Sequence, residues 1–110
     1  MRNLAMHVNQ KCGLVTVTLD GEIDAFSAPE LTRALHSAIR LADHTVVVDA
    51  LGVTFIDVAG RRVLERDGAL AASREGVRYI LLSGDAIRRL DRYLAHSADA
   101  PPPASAAKAA

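Results

Sequence analysis

Three consecutive valines, Val46, Val47 and Val48, closed by Asp49, constrain this chain more than any other stretch of it. Their β-branched side chains are stiff at χ1 and suit extended backbone. An apolar run without polar alternation fits a central strand that is covered by helices on at least one face and lies parallel to its neighbours. A strand of that kind cannot stand alone, so the flanking segments have to supply both the partner strands and the covering helices.

They do so in a regular order. From Leu14 to Asp20, Val15, Val17 and Leu19 alternate with Thr16 and Thr18, which is the period of a half-exposed strand. Ala5 to Val8 reads as a preceding strand, joined to it by a hairpin through Asn9, Gln10, Lys11 and Gly13. Ser27-Ala28-Pro29-Glu30 predicts a helix start in which the Ser27 hydroxyl accepts the Glu30 amide and the glutamate reaches back. The helix then runs to about Ala42, burying a stripe of Leu31, Ala34, Leu35, Ala38, Ile39 and Ala42, with Arg33, His36 and Arg40 off it. After the valines, Leu51 to Ile56 forms a connection to Asp57, which caps a helix from about Ala59 to Glu75, ended by Gly76 and weakened slightly by Gly68. Arg78 to Leu82 is a further strand, and Asp85 caps a last helix that turns Ile87, Leu90 and Leu94 inward. The order β(β)αβαβα predicts an α/β fold.

Composition narrows the function. Thirteen basic and thirteen acidic residues cancel, so no net field draws the chain to nucleic acid or to an anionic membrane, and any binding depends on a local patch. Cys12 is the only cysteine, which excludes an internal disulfide and a cysteine metal cluster and fits a reducing cytoplasm. The amino terminus lacks a signal-peptide core, and no apolar run approaches the roughly twenty residues that cross a bilayer. With Phe26, Phe55, Tyr79 and Tyr93 as the aromatic set, a stacking platform for single-stranded nucleic acid is poorly supplied. Residues 1–96 are expected to form one domain, and residues 97–110, rich in alanine and proline, a disordered tail.

Gly21-Glu22-Ile23-Asp24, then Val47-Val48-Asp49, then Phe55-Ile56-Asp57-Val58-Ala59-Gly60 resemble, in order and spacing, the STAS domain of bacterial anti-sigma factor antagonists. The resemblance covers about Leu14 to Leu94. It implies a mixed sheet of four to five strands, helices packed mainly on one side, and a protein-recognition surface at the start of the second long helix. It also implies a partner: a kinase-type anti-sigma factor or another regulatory protein. In phosphorylatable members the last motif carries a serine or threonine directly after its aspartate, and the phosphate breaks the complex. Val58 stands there in this chain, and valine has no hydroxyl to modify. The resemblance thus implies an antagonist without the usual phosphate switch, or else a STAS subunit of a larger assembly such as a lipid-transport ATPase or a stressosome-like particle.

The candidate partner-binding residues are Asp24, Asp49, Thr54, Asp57, Val58, Ala59, Gly60, Arg61 and Arg62. Asp24, Asp49 and Asp57 fall where parallel strands are expected to end, the edge at which open α/β sheets present their sites, although an Asx turn, a loop hydrogen bond and a helix cap are equally available roles for them. Arg61 and Arg62 oppose the dipole of the helix they open by a few tenths of a kcal/mol, which suggests another use for them, such as a partner's surface. Thr54 and Ser83 are alternative phosphate acceptors, each with a turn or backbone role as rival. A phosphoreceiver lacks its lysine here, since only Lys11 and Lys108 are present, and His7, His36, His44 and His96 fall beside no nucleophile. The residues therefore predict a binding module with no cofactor, no metal and no catalytic centre.

Overall fold

The computed structural model describes residues 3–98. Its elements are β1 (Leu4–Lys11), β2 (Leu14–Ile23), α1 (Ala28–Leu41), β3 (Thr45–Ile56), α2 (Val58–Arg62), a wide-turn segment (Val63–Asp67), α3 (Gly68–Arg74), β4 (Arg78–Ser83) and α4 (Asp85–Ala98). The sheet order is β1-β2-β3-β4, with β1 antiparallel to β2 and the other pairs parallel. This is the expected mixed α/β sheet, with four strands and the valine run inside it. The tail expected from residue 97 lies outside the described residues apart from its first two, over which α4 continues to Ala98.

One face of the sheet makes the core. Val15, Val17, Leu19 and Ile23 of β2 and Val46, Val48 and Ala50 of β3 are buried against Leu31, Leu35, Ala38 and Ile39 of α1, with Leu64, Ala72 and Ile87 from the later helices. The opposite face carries Thr16, Thr18, Val47 and Asp49 half-buried, and Ile80 and Leu82 exposed. The helices thus pack on one side.

Three local expectations need correction. The hairpin turn is Cys12-Gly13, not Asn9 to Gly13. Both turn residues have positive φ (53° and 82°), the pair of left-handed positions that a two-residue turn requires, so β1 extends to Lys11. At α1, Ser27 makes no cap to Glu30, because its backbone is already helical (φ −91°, ψ −11°). The reciprocal pair sits one turn earlier: Asp24 Oδ1 accepts the Ser27 N–H at 2.9 Å, and the Asp24 N–H donates back to Ser27 Oγ at 3.0 Å. Finally, Leu51 to Ile56 is not a connection but the second half of β3. Bulges opposite Thr18–Asp20 and Gly21–Glu22 keep it paired to β2.

The second long helical run is continuous in path but not in pitch. At the wide turn the Gly68 N–H reaches back five residues to the Val63 carbonyl. The Leu64 carbonyl accepts the Tyr79 hydroxyl at 2.6 Å, which satisfies a phenol that burial and the Glu65 charge hold well above its usual pKa. Gly68 is what makes room, since a Cβ there would lie 2.5 Å from the Tyr79 oxygen. Alanine normally stabilises an exposed helix over glycine by about 1 kcal/mol. Gly68→Ala is expected to do the reverse, lowering stability in urea by roughly 1–3 kcal/mol through overpacking; a stabilised variant contradicts this account of the wide turn.

Candidate functional site

The end of β3 passes into α2 through a single residue, Asp57. Its Oδ1 accepts the Gly60 N–H at 2.9 Å, the expected N-cap, while its Oδ2 accepts the Ala25 N–H at 2.9 Å from the loop between β2 and α1. The Asp57 N–H donates to the Ile23 carbonyl at 3.1 Å. One carboxylate therefore holds two chain segments together, with Asp24 and Ser27 forming the next turn of the same loop. Asp24 and Asp57 do converge, in cap and turn roles, with their carboxylates occupied by backbone donors.

Around this junction the side chains divide by exposure. Gly60 is buried, and a Cβ there would lie 2.4 Å from Ile23 Cγ2, so α2 can approach β2 this closely only without a side chain. Ala59 is half-buried, whereas Val58 is 47% exposed at the first helical position. Phe26, in the loop that Asp57 holds through Ala25, is 88% exposed. Exposed large aromatic side chains on a rigid loop are typical anchors of protein interfaces. The sequence reading missed Phe26; the available signal was an aromatic residue with no place in a helix or strand period, directly after Gly21-Glu22-Ile23-Asp24. Alongside, a shallow groove of about 210 Å³ runs between the end of β3 and α4, lined by Thr54, Phe55, Ile56, Ala86, Arg89 and Leu90.

Other candidate residues are placed differently from expectation. Asp49 lies within β3, not at a strand end, and its Oδ1 accepts the Leu51 N–H at 3.1 Å where the strand bulges. It is therefore not brought to the Asp57 junction. Thr54 also lies within β3, exposed, with its hydroxyl donating to the Gly21 carbonyl at 3.2 Å. Ser83 pairs in register with Ala50, six residues short of the end of β3, so it does not share the edge on which Asp57 sits.

Arg61 has an internal use. Its Nε donates to Asp91 of α4, and its Nη2 lies 3.2 Å from Glu65 Oε1, so the cation that opposes the α2 dipole is matched by two carboxylates. The Asp91 hydrogen bond raises the Arg61 pKa further, and Arg61 clamps α4 against the start of α2. This accounts for an arginine at a helix start without a partner; Arg62, beside it, is exposed. Burial, followed by the nearby Asp91 charge, raises the Glu65 carboxyl above its usual range, with Arg61 opposing. Among the described residues no cluster of three or more metal-ligating side chains occurs, and no described helix is long and apolar enough to cross a membrane.

Two stability effects follow from these contacts. Asp57→Ala removes the cap and the tie to Ala25 together, and chemical denaturation should show a loss of about 1–2 kcal/mol; a neutral result means that neither bond holds the junction. For Glu65, the raised folded pKa means that the favourable protonated form is fully present below the ordinary carboxyl range and is lost as pH rises through the folded value. Stability curves of Glu65→Gln and the parent, taken between about pH 4 and pH 7 across that range, should therefore move in the variant's favour as pH rises; a constant difference contradicts the shift.

A family model described as the STAS domain matches residues 3–90. No curated protein matches the chain. Among solved structures, an anti-sigma factor antagonist from Mycobacterium paratuberculosis superposes with a TM-score of 0.65 at 22% identity, over 91% of this chain and 84% of that one. The antagonist SpoIIAA in its unphosphorylated form gives 0.66 at 18%, over 83% and 81%, and the Bacillus protein in its phosphorylated form gives 0.63 at 19%, over 83% of each. Mglu gives 0.60 at 23%, over 72% of this chain; this chain spans only 19% of that much longer one.

Proposed function

The chain belongs to the STAS domain family, and from that premise we propose that it is an anti-sigma factor antagonist whose docking surface is the junction of β3 with α2, held without a phosphate switch at position 58. The observation that carries this reading is the exposed Val58 at the first position of α2, directly after the capping Asp57. A serine there would carry a phosphate at a helix start, beside a carboxylate already engaged by two backbone donors, adding nearly two negative charges to the docking face. Valine instead presents an exposed apolar side chain at the junction whose tied loop presents Phe26.

A standard interface has an apolar centre and a polar edge. Phe26 and Val58 supply that centre, Ala59 and the groove beside α4 continue it, and Arg62 and Arg89 supply a cationic edge suited to acidic side chains on the partner. Arg61 stays with Asp91 and shapes the surface from within. In this reading the complex is governed by the amount of each protein or by a competing partner. The likeness to SpoIIAA, seen in unphosphorylated and phosphorylated forms, supports the choice of partner class. The rival, a STAS subunit in a larger assembly, uses a similar surface without a kinase and separates by which protein binds.

The test uses a kinase-type anti-sigma factor, ATP and two variants. The parent chain should bind and remain unmodified, while Val58→Ser should gain one phosphate and lose the complex. Phe26→Ala should weaken binding at least about 10-fold, the scale of a truncated anchor, with an unchanged circular dichroism spectrum. Phosphate recovered on Thr54 or Ser83 of the parent, or full affinity in Phe26→Ala, overturns the proposal.

A further inference from the structure

β1 is an edge strand whose outer side pairs with no described strand. The two-residue turn at Cys12-Gly13 fixes which of its backbone groups point outward. In such a hairpin the flanking pair, Lys11 and Leu14, is hydrogen-bonded, and bonded and non-bonded pairs then alternate along the ladder. Lys11, Asn9, His7 and Ala5 therefore direct their N–H and carbonyl groups to β2. Gln10, Val8, Met6 and Leu4 direct theirs away from the sheet.

Long edges of this kind are usually blunted by charge, proline or a bulge. This one is regular over all eight residues, Leu4–Lys11, with no bulge, no proline and no acidic or basic residue before Lys11 apart from His7. On the helix-bearing side Val8 is 52% exposed, next to Met6 and Leu4, which reach the edge of the core. An outward row of alternating donors and acceptors is matched by another extended strand.

We propose that the occupant is a second copy of this chain, paired antiparallel β1 to β1 about a two-fold axis at His7. That register opposes seven of the eight strand residues, Leu4–Gln10, with themselves, as many as an axis at Val8 would, and unlike that axis it keeps Lys11 by Asn3 rather than Ala5. It sets Met6 against the second copy's Val8 and Leu4 against its Gln10, each exchanging outward backbone hydrogen bonds. It also sets Lys11 opposite the second copy's Asn3. The Asn3 N–H donates to Glu22 Oε1 at 3.3 Å, so a carboxylate lies beside that position on the same face of the sheet. Each Lys11 thus meets the second copy's Glu22, twice by symmetry, and the edge is complementary to itself in backbone, apolar side chains and charge. The product is a continuous eight-stranded sheet. Its two Asp57 junctions stay outside the new interface, so dimerisation stands apart from the docking reading.

Sedimentation of the full chain over a concentration series should show a monomer passing to twice its mass. Val8→Pro removes an outward N–H that β2 does not use and should leave a monomer. Because that variant can fail to fold, register is read separately in a Cys12→Ala background. At the axis, non-bonded antiparallel partners bring their Cα atoms to about 4.5 Å, within disulfide range. His7→Cys should therefore crosslink on mild oxidation at least 10-fold faster than Asn9→Cys. A monomer at every concentration, a dimer that persists in folded Val8→Pro, or equal crosslinking at both positions overturns the proposal.

Discussion

The Asp57 carboxylate is the contact on which the geometry of the candidate site depends. Its two oxygens take donors from segments far apart in sequence, one opening α2 and the other closing the loop before α1. With the Asp57 N–H bound to the Ile23 carbonyl, the ends of two parallel strands and the starts of two helices are fixed relative to one another. The buried Gly60 then lets α2 lie directly on Ile23. Phe26 and Val58 sit on the two segments that this half-exposed polar tie holds together. In the docking proposal a partner meets backbone already held in place, so little entropy is lost in forming the surface.

Much of this was legible in the sequence because the signals were periodic. The Val15, Val17, Leu19 alternation and the α1 stripe each matched one geometry, and the residues they put inward, Leu31, Leu35, Ala38 and Ile39 among them, are buried. Asp57 as a cap followed from its place before an apolar helical pattern, and the structure bears it out. β3 was read as shorter than it is for a physical reason. Its buried positions run Val46, Val48, Ala50 and then Val53 and Ile56, so the spacing changes from two residues to three at the bulges. A strand that changes its period loses its signature, and Asp49 and Thr54 were consequently placed at a strand end and in a loop.

The misreading of Ser27 and of Arg61 has a different origin. Each was judged against its own helix: Ser27 as a cap for the residues after it, Arg61 as a cation at the wrong end of a dipole. The contacts that decide them lie outside that helix, in Asp24 for the serine and in Asp91, thirty positions on, for the arginine. Local rules give the cost of a residue, while tertiary partners give its use, and a single sequence does not show which distant carboxylate will arrive. Phe26 was overlooked for the converse reason: no packing explains it, and unexplained exposure becomes visible only once the rest of the surface is known.

The wide turn near Tyr79 also settles a question of phase. Gly60, Leu64, Gly68 and Ala72 all face inward, four residues apart each time. At about 100° per residue, each such step overshoots a full revolution by about 40°, so an unbroken α-helix would carry the last of them about 120° around its axis, toward water. Slackening the winding once, midway, brings the row back into line with the strands beneath it. The tyrosine hydroxyl thus acts as a tuning peg, and the helix keeps one smooth flank of small and branched residues where a regular spiral would have turned away.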